Sequence, residues 1–402
     1  MFRMAERTMY LNFQNKASCA KAVKETRARQ SLFRHWAFGL FCCGIFTSPI
    51  TGFPQNLFDV EIYYNRGKAY YQKGDYDNAI ADFDLAIKIM PSHANAYLSR
   101  GNAYCDKGDY DRAIADYSQA ITLQPGEVIA YNNRGNAYIL KNDFTRAIAD
   151  FDQAITLRPN LPEAYANRGV AYNQRGDYEE AIADFNKVIK LTPGEAGAYY
   201  NRGKVNYFKG SYDRAIADYD RALELKPDLA EAYWSRGIAH TKKNAYDLAI
   251  ADYSFAITLK PDLVEAYVYR GLAYAELRQF DRAVANYDLA IKLKRDRAIS
   301  FKRRDGESDL AIKLRPEDAD LYYNRGRAYH SMGKYDRAIA DYSQAINIKT
   351  SHTAAYYFRG LAYRDKNDRA KATFDFLKVL ELTKDPFLRK KTSLQLQELG
   401  VN

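Results

Sequence analysis

Tryptophan occurs twice in the 402 residues and cysteine four times. Cys19 and Cys105 are solitary, Cys42 and Cys43 are adjacent, and no CxxC pair exists. A disulfide framework and a structural zinc site are both excluded on that count. The five histidines (His35, His93, His240, His330 and His352) are scattered along the chain, so no metal is expected. There is no GxxxxGK[ST], no HExxH and no GxSxG. Asp, Arg and Tyr abound, but at repeating positions, and no isolated acid, base or nucleophile stands out. The chain reads as a non-enzyme that needs no cofactor.

Net positive charge is missing from most of the chain despite a formal net charge of +10. Residues 1–58 hold eight Lys and Arg against Glu6 and Glu25, and 292–304 (KLKRDRAISFKRR) hold seven against Asp296. The remainder is slightly acidic. A nucleic-acid-binding face needs basic residues spread along it, so this distribution argues against such a partner.

Tyrosine is abundant, with 35 copies against 20 of Phe. The octets YYNRGKAY (63–70), YNNRGNAY (131–138), YANRGVAY (165–172) and YYNRGRAY (322–329) show where it goes. An Arg-Gly pair recurs every 34 residues at Gly67, Gly101, Gly135, Gly169, Gly203, Gly237 and Gly271, then at Gly326 and Gly360. With this Gly as position 8, the first repeat begins at Val60. Position 4 is Tyr and position 20 is Ala in all nine repeats, and position 24 is always Phe or Tyr. Positions 4, 8 and 11 share one helical face, as do 20, 24, 27 and 28. Gly and Ala let two helices approach, and the aromatics fill the space beside the contact. KGDY (73–76) offers a left-handed C′ Gly and then an Asp to cap the next helix. Pro91 and its equivalents end the second helix.

This pattern resembles the tetratricopeptide repeat over residues 60–386. Tyr replacing Trp at position 4 and Arg replacing Leu at position 7 are its two departures. The resemblance implies an all-α fold, an α-solenoid of stacked antiparallel helix pairs wound as a right-handed superhelix. Residues 1–59 form a basic extension, 60–297 seven repeats, 298–318 a truncated repeat, 319–386 two more, and 387–402 a capping helix. The truncated stretch reads either as a basic loop or as a docking site using Arg303 and Arg304. WAFGLFCCGIF (36–46) follows basic residues, and TSPITG (47–52) supplies small ones, as in a secretory signal. The expectation is an exported or membrane-associated protein rather than a cytoplasmic one, with membrane contact through residues 36–53. An apolar segment packing on the first repeat, or a start at Met9, is also consistent with these residues.

Positions 2, 6, 9 and 13 form the opposite stripe of each first helix. In tetratricopeptide superhelices that stripe, with positions 5 and 12, lines the concave groove. Position 6 holds Asn65, Asn133, Asn167, Asn201 and Asn324. Asn is a mediocre helix former, while its amide can bond a peptide group in both directions. The pattern is similar to the asparagine ladder in the repeat region of O-linked N-acetylglucosamine transferase, which implies a grip on extended polypeptide. No catalytic domain is expected after Pro386. Position 9 adds Lys68, Asn102, Asn136, Lys204 and Arg327. A two-carboxylate clamp is disfavoured by Glu61, Glu163, Glu231 and Glu265 at position 2. Recurring Arg at position 7 and Asp at position 23 read as ion pairs that register the stack. The leading reading is a scaffold or adaptor for a protein or peptide partner. A membrane-associated assembly component, or a recruiting subunit for a separate enzyme, are the alternatives.

Overall fold

The computed structural model describes residues 55–305 and 318–401, and every regular element among them is a helix. The chain divides into two compact parts between Val205 and Asn206. The first contains α1 (Gln55–Lys73), α2 (Tyr76–Ile89), α3 (Ala94–Asp106), α4 (Tyr110–Leu123), α5 (Val128–Leu140), α6 (Phe144–Leu157), α7 (Pro162–Arg175) and α8 (Tyr178–Leu191). Helix α9 (Ala196–Lys209) carries the boundary. The second part contains α10 (Tyr212–Leu225), α11 (Ala230–Lys242), α12 (Tyr246–Leu259), α13 (Val264–Glu276), α14 (Phe280–Asp305), α15 (Ala319–Ser331), α16 (Tyr335–Ile348), α17 (Thr353–Asp365), α18 (Arg369–Leu382) and α19 (Pro386–Glu398). Within each part, consecutive helices pack on one another as stacked pairs, the expected α-solenoid.

Steric demand explains why the same small residues return. A Cβ on Gly135 would stand 2.7 Å from the Phe151 ring, and one on Gly237 would stand 2.6 Å from the Tyr253 ring. Real carbons do not approach that closely, so only Gly admits the crossing. Ala147 and Ala249 beneath it are fully buried, as are the rings Phe83, Tyr117 and Phe151. Interiors this dense leave no room for an added methyl group.

Each pair is closed by one left-handed residue. Gly176 has φ 100°, and Asn142, Asn244 and Asn367 keep φ at 59–61° where Asn replaces Gly. Arg278 holds the same conformation at φ 59°, at the cost a long side chain incurs there. Asp75, Asp109 and Asp143 then cap the following helix, each accepting from the N–H three residues on.

The interruption after the seventh repeat is described only in part. Residues 298–305 continue α14 as helix, and 306–317 lie outside the described residues. Helix α15 docks directly on α14, with Tyr287 and Ile291 sharing one core with Leu321 and Tyr322. Lys294 also pairs with Asp318. The eighth repeat therefore takes the stacking place next to the seventh.

Helix α1 opens at Gln55, ahead of Val60. At the other end α19 packs on α18, burying Leu396 and partly burying Leu388 and Leu399, while Leu394 faces solvent. Among the described residues no helix is long and apolar enough to cross a membrane. The segment 36–53 lies outside them.

Candidate functional site

Arginine at position 7 is the first residue to place, because it fixes how neighbouring repeats align. Arg134 donates through Nε and one terminal nitrogen to Asp150 at 2.8 and 2.7 Å. Arg168 grips Asp184 in the same way, at 2.8 and 2.6 Å. The second terminal nitrogen reaches back to position 25 of the preceding repeat, Ser118 at 2.9 Å for Arg134 and Asp152 at 2.5 Å for Arg168. Arg100, Arg202, Arg236, Arg270, Arg325 and Arg359 make the same backward bond.

The guanidinium also lies over the position-4 tyrosine of its own helix, 5.4–5.7 Å from the ring centre in all nine repeats. The two departures from the usual repeat pattern are thus one feature. Bonds to Asp184 hold the Arg168 guanidinium above its ordinary value. Burial pushes the Asp184 carboxyl up, and the arginine opposes it.

Arg325 shows that the lock spans the interruption. It bonds Asp288 at 2.6 Å although the two are 37 residues apart, where Arg100 and Asp84 are separated by 16. Its side chain is 20% exposed, like Arg134, whereas Arg66 in the first repeat is 52% exposed.

With the arginines turned to the second helices, the opposite stripe of the first helices is left to line a face. In the first part α1 touches α3, α3 touches α5 and α5 touches α7. In the second, α11, α13, α15 and α17 touch in the same succession. No two successive second helices are paired this closely among the described residues. The first helices therefore converge, and each part presents their outer stripe on its inner side.

Two of the sequence-selected amides meet there. Asn133 donates to Asn102 at 2.9 Å, and Asn102 also accepts from the Tyr117 hydroxyl at 2.8 Å. Asn167 donates to Asn132 at 2.9 Å. Asn132, at position 5, was not singled out from sequence. Its position varies too much between repeats to show a pattern. Asn65 is exposed and bonds Glu61 at 3.4 Å. Asn136 is buried, and Asn201 and Asn324 are half-buried. The Lys68 ammonium lies over Tyr64 at 5.2 Å. Arg327 is exposed and lies over Phe358 and Tyr323, at 5.5 and 6.0 Å.

Family models agree with this architecture. Matches described as TPR repeat cover 101–141, 135–174, 169–210, 207–244 and 239–278. Matches described as tetratricopeptide repeat cover 60–93, 264–297, 319–350 and 353–386. The chain belongs to the tetratricopeptide repeat family. No curated protein sequence matches it. Among solved structures, a tetratricopeptide repeat protein from Parabacteroides merdae has TM-score 0.51 at 20% identity, over 59% of this chain and 93% of that one. At that identity the likeness establishes the fold. MamA has TM-score 0.40 at 29% identity, over 43% of this chain and 94% of its own. YrrB, described as a TPR protein with an unusual peptide-binding site, has TM-score 0.38 at 22% identity, over 46% and 95%. Tetratricopeptide repeats are protein-interaction modules, and this chain is a scaffold of that kind.

Lys204 is a buried cation at position 9, where Lys68 and Arg327 of these tetratricopeptide repeats keep some exposure. It is 2% exposed, its ammonium lies 5.6 Å from the Tyr200 ring centre, and burial pulls its pKa down to about 7. The unfolded chain keeps that proton to about 10.5. Between those values unfolding takes up a proton, so stability rises with pH and levels off below pH 7. Unfolding free energy should increase by about 2 kcal/mol from pH 7.5 to 9, given ~1.4 kcal/mol per pH unit for one proton. Lys204→Met should flatten that slope and melt later at pH 7, as urea titrations at both pH values would show.

Proposed function

We propose that this chain is a non-catalytic adaptor whose first-helix face grips an extended segment of a partner protein through its backbone. The supporting observation is the pair of bonds Asn133–Asn102 and Asn167–Asn132. They link the amides of three successive repeats along one face and fix their orientation in advance. Each bond uses one N–H of an amide that has a second N–H and a carbonyl oxygen to offer. Bonds to a ligand backbone are indifferent to its side chains, so such a strip accepts many sequences in one extended conformation. Preorganisation lowers the ordering cost that weakens peptide binding.

The test uses peptides selected from a random display library against the full chain. Replacing Asn133, Asn167 and Asn201 together by Ala should weaken their binding by at least about tenfold, since each lost hydrogen bond is worth roughly 0.5–1.5 kcal/mol. Helical circular dichroism should not change. Unaltered affinity in the triple variant would remove the amide strip as the binding element.

A further inference from the structure

The hydroxyls at position 24 reveal a second kind of site on the same face. In the second repeat the Tyr117 hydroxyl donates to Asn102, at position 9. In the sixth the Tyr253 hydroxyl shares a hydrogen bond with Thr241, at position 12, at 2.9 Å. In the eighth repeat those places hold Arg327 and His330, and His330 is already engaged by Asp365 at 3.1 Å. The Tyr342 side chain is fully buried, and its hydroxyl has no hydrogen-bond partner among the described residues. An unmet buried hydroxyl is a cost that native interiors rarely carry.

Arg327 lies on that side of the repeat. It is exposed and faces no carboxylate among the described residues, resting instead on the Tyr323 and Phe358 rings. Arg325, two residues earlier, is fully occupied by Asp341 and Asp288. The rings beneath Arg327 form a connected set. Tyr323 meets Phe358 edge-on at 5.7 Å, and Phe358 lies 6.3 Å from Tyr342. Arg327 also draws the Tyr342 hydroxyl downward electrostatically, against the burial that raises it. The acid at position 2 of this repeat, Asp320, is taken by His352 at 3.1 Å. What remains is an exposed guanidinium that pairs with no carboxylate, hydrogen-bonds Tyr323 and lies against two aromatic rings, in the same repeat as a buried hydroxyl that lacks an acceptor.

We propose that Arg327 receives the carboxylate of an aspartate or glutamate within the bound partner segment, with Tyr323 and Phe358 as its platform. This rests on the groove reading above. A guanidinium offers a carboxylate two parallel N–H donors, and desolvation over rings strengthens the pair. The Tyr342 hydroxyl, which has no acceptor of its own, is a further donor for the same carboxylate. An internal side chain fits better than a chain terminus. Asn324, one turn earlier on the same face, is placed to hold a peptide amide, so the backbone continues past Arg327.

The experiment selects 12-residue display peptides on the intact chain, then measures their affinity for Arg327→Gln, Tyr342→Phe and Asn324→Ala. Peptides captured by the second part should be enriched in Asp or Glu at one position. Arg327→Gln should weaken them at least tenfold, and so should changing that peptide acid to its amide, while the two changes together weaken binding no further. Tyr342→Phe should cost about threefold with no loss of melting temperature. If Asn324→Ala weakens binding while Arg327→Gln and the acid-to-amide change do nothing, the carboxylate site is refuted and the groove stands. If none of the three variants alters affinity, the groove reading fails in this part of the chain. Unchanged circular dichroism for Arg327→Gln, an exposed position, keeps these outcomes separate from misfolding.

Discussion

Gly135→Leu should lower stability by about 3 kcal/mol, the upper range for overpacking a filled interior. A Cβ there meets three atoms of the Phe151 ring within 3.1 Å, and that ring is fully buried with nowhere to turn. Leucine adds three more carbons in the same direction, so α5 and α6 must part. Gly126 provides the control, since an added Cβ finds nothing within 4 Å and the backbone is not left-handed. Gly126→Ala should be within about 0.5 kcal/mol of the parent. Urea melts of the two variants decide the matter, and equal midpoints would discard close approach as the reason for the glycine. In a Phe151→Leu background, Gly135→Leu should cost at least ~1 kcal/mol less, because the ring that it strikes is gone.

Removing Arg168 should cost a comparable ~3 kcal/mol, for a different reason. Its loss strands Asp184, a carboxylate 4% exposed, with both arginine bonds missing. The loss also frees Asp152 in the preceding repeat, which weakens the seam between the third and fourth repeats. Arg168→Met with Asp184→Leu should recover most of the stability, since no charge is then buried alone. Arg66→Ala should cost less than Arg168→Ala: both strand a buried aspartate, Asp82 or Asp184, but only Arg168 also bonds the preceding repeat. Thermal melts of the three variants check the order. If Arg66→Ala proves as damaging as Arg168→Ala, the bonds between repeats contribute nothing.

The features legible in sequence were those where one residue type is the only solution. Gly135 against Phe151 leaves no alternative to glycine, and the Arg134–Asp150 fork needs both charges, so each recurs at a fixed offset. The backward bond was hidden because it asks only for an acceptor. Asp152, Ser118 and Asn186 all serve, and variation in type masks constancy of role. Periodicity alone is silent at the interruption. A shortened repeat that occupies a place in the stack and a segment passed over by the stack have the same spacing in sequence. The contacts across the joint separate them, the Arg325–Asp288 bond and the shared core of Tyr287 and Tyr322 among them. The amide face was half legible. Asn133 and Asn167 stood out, but Asn132 and the Tyr323–Phe358 platform depend on which neighbour lies across the seam.

The Arg325–Asp288 bond has a consequence for how such chains change length. A clasp that recognises only an oxygen on whichever neighbour abuts it is blind to the length of polypeptide between. Extra chain can enter at such a joint, or leave it, with the masonry on either side undisturbed. The joint between Asp305 and Asp318 is where this array has already admitted a passenger, and where another could be grafted.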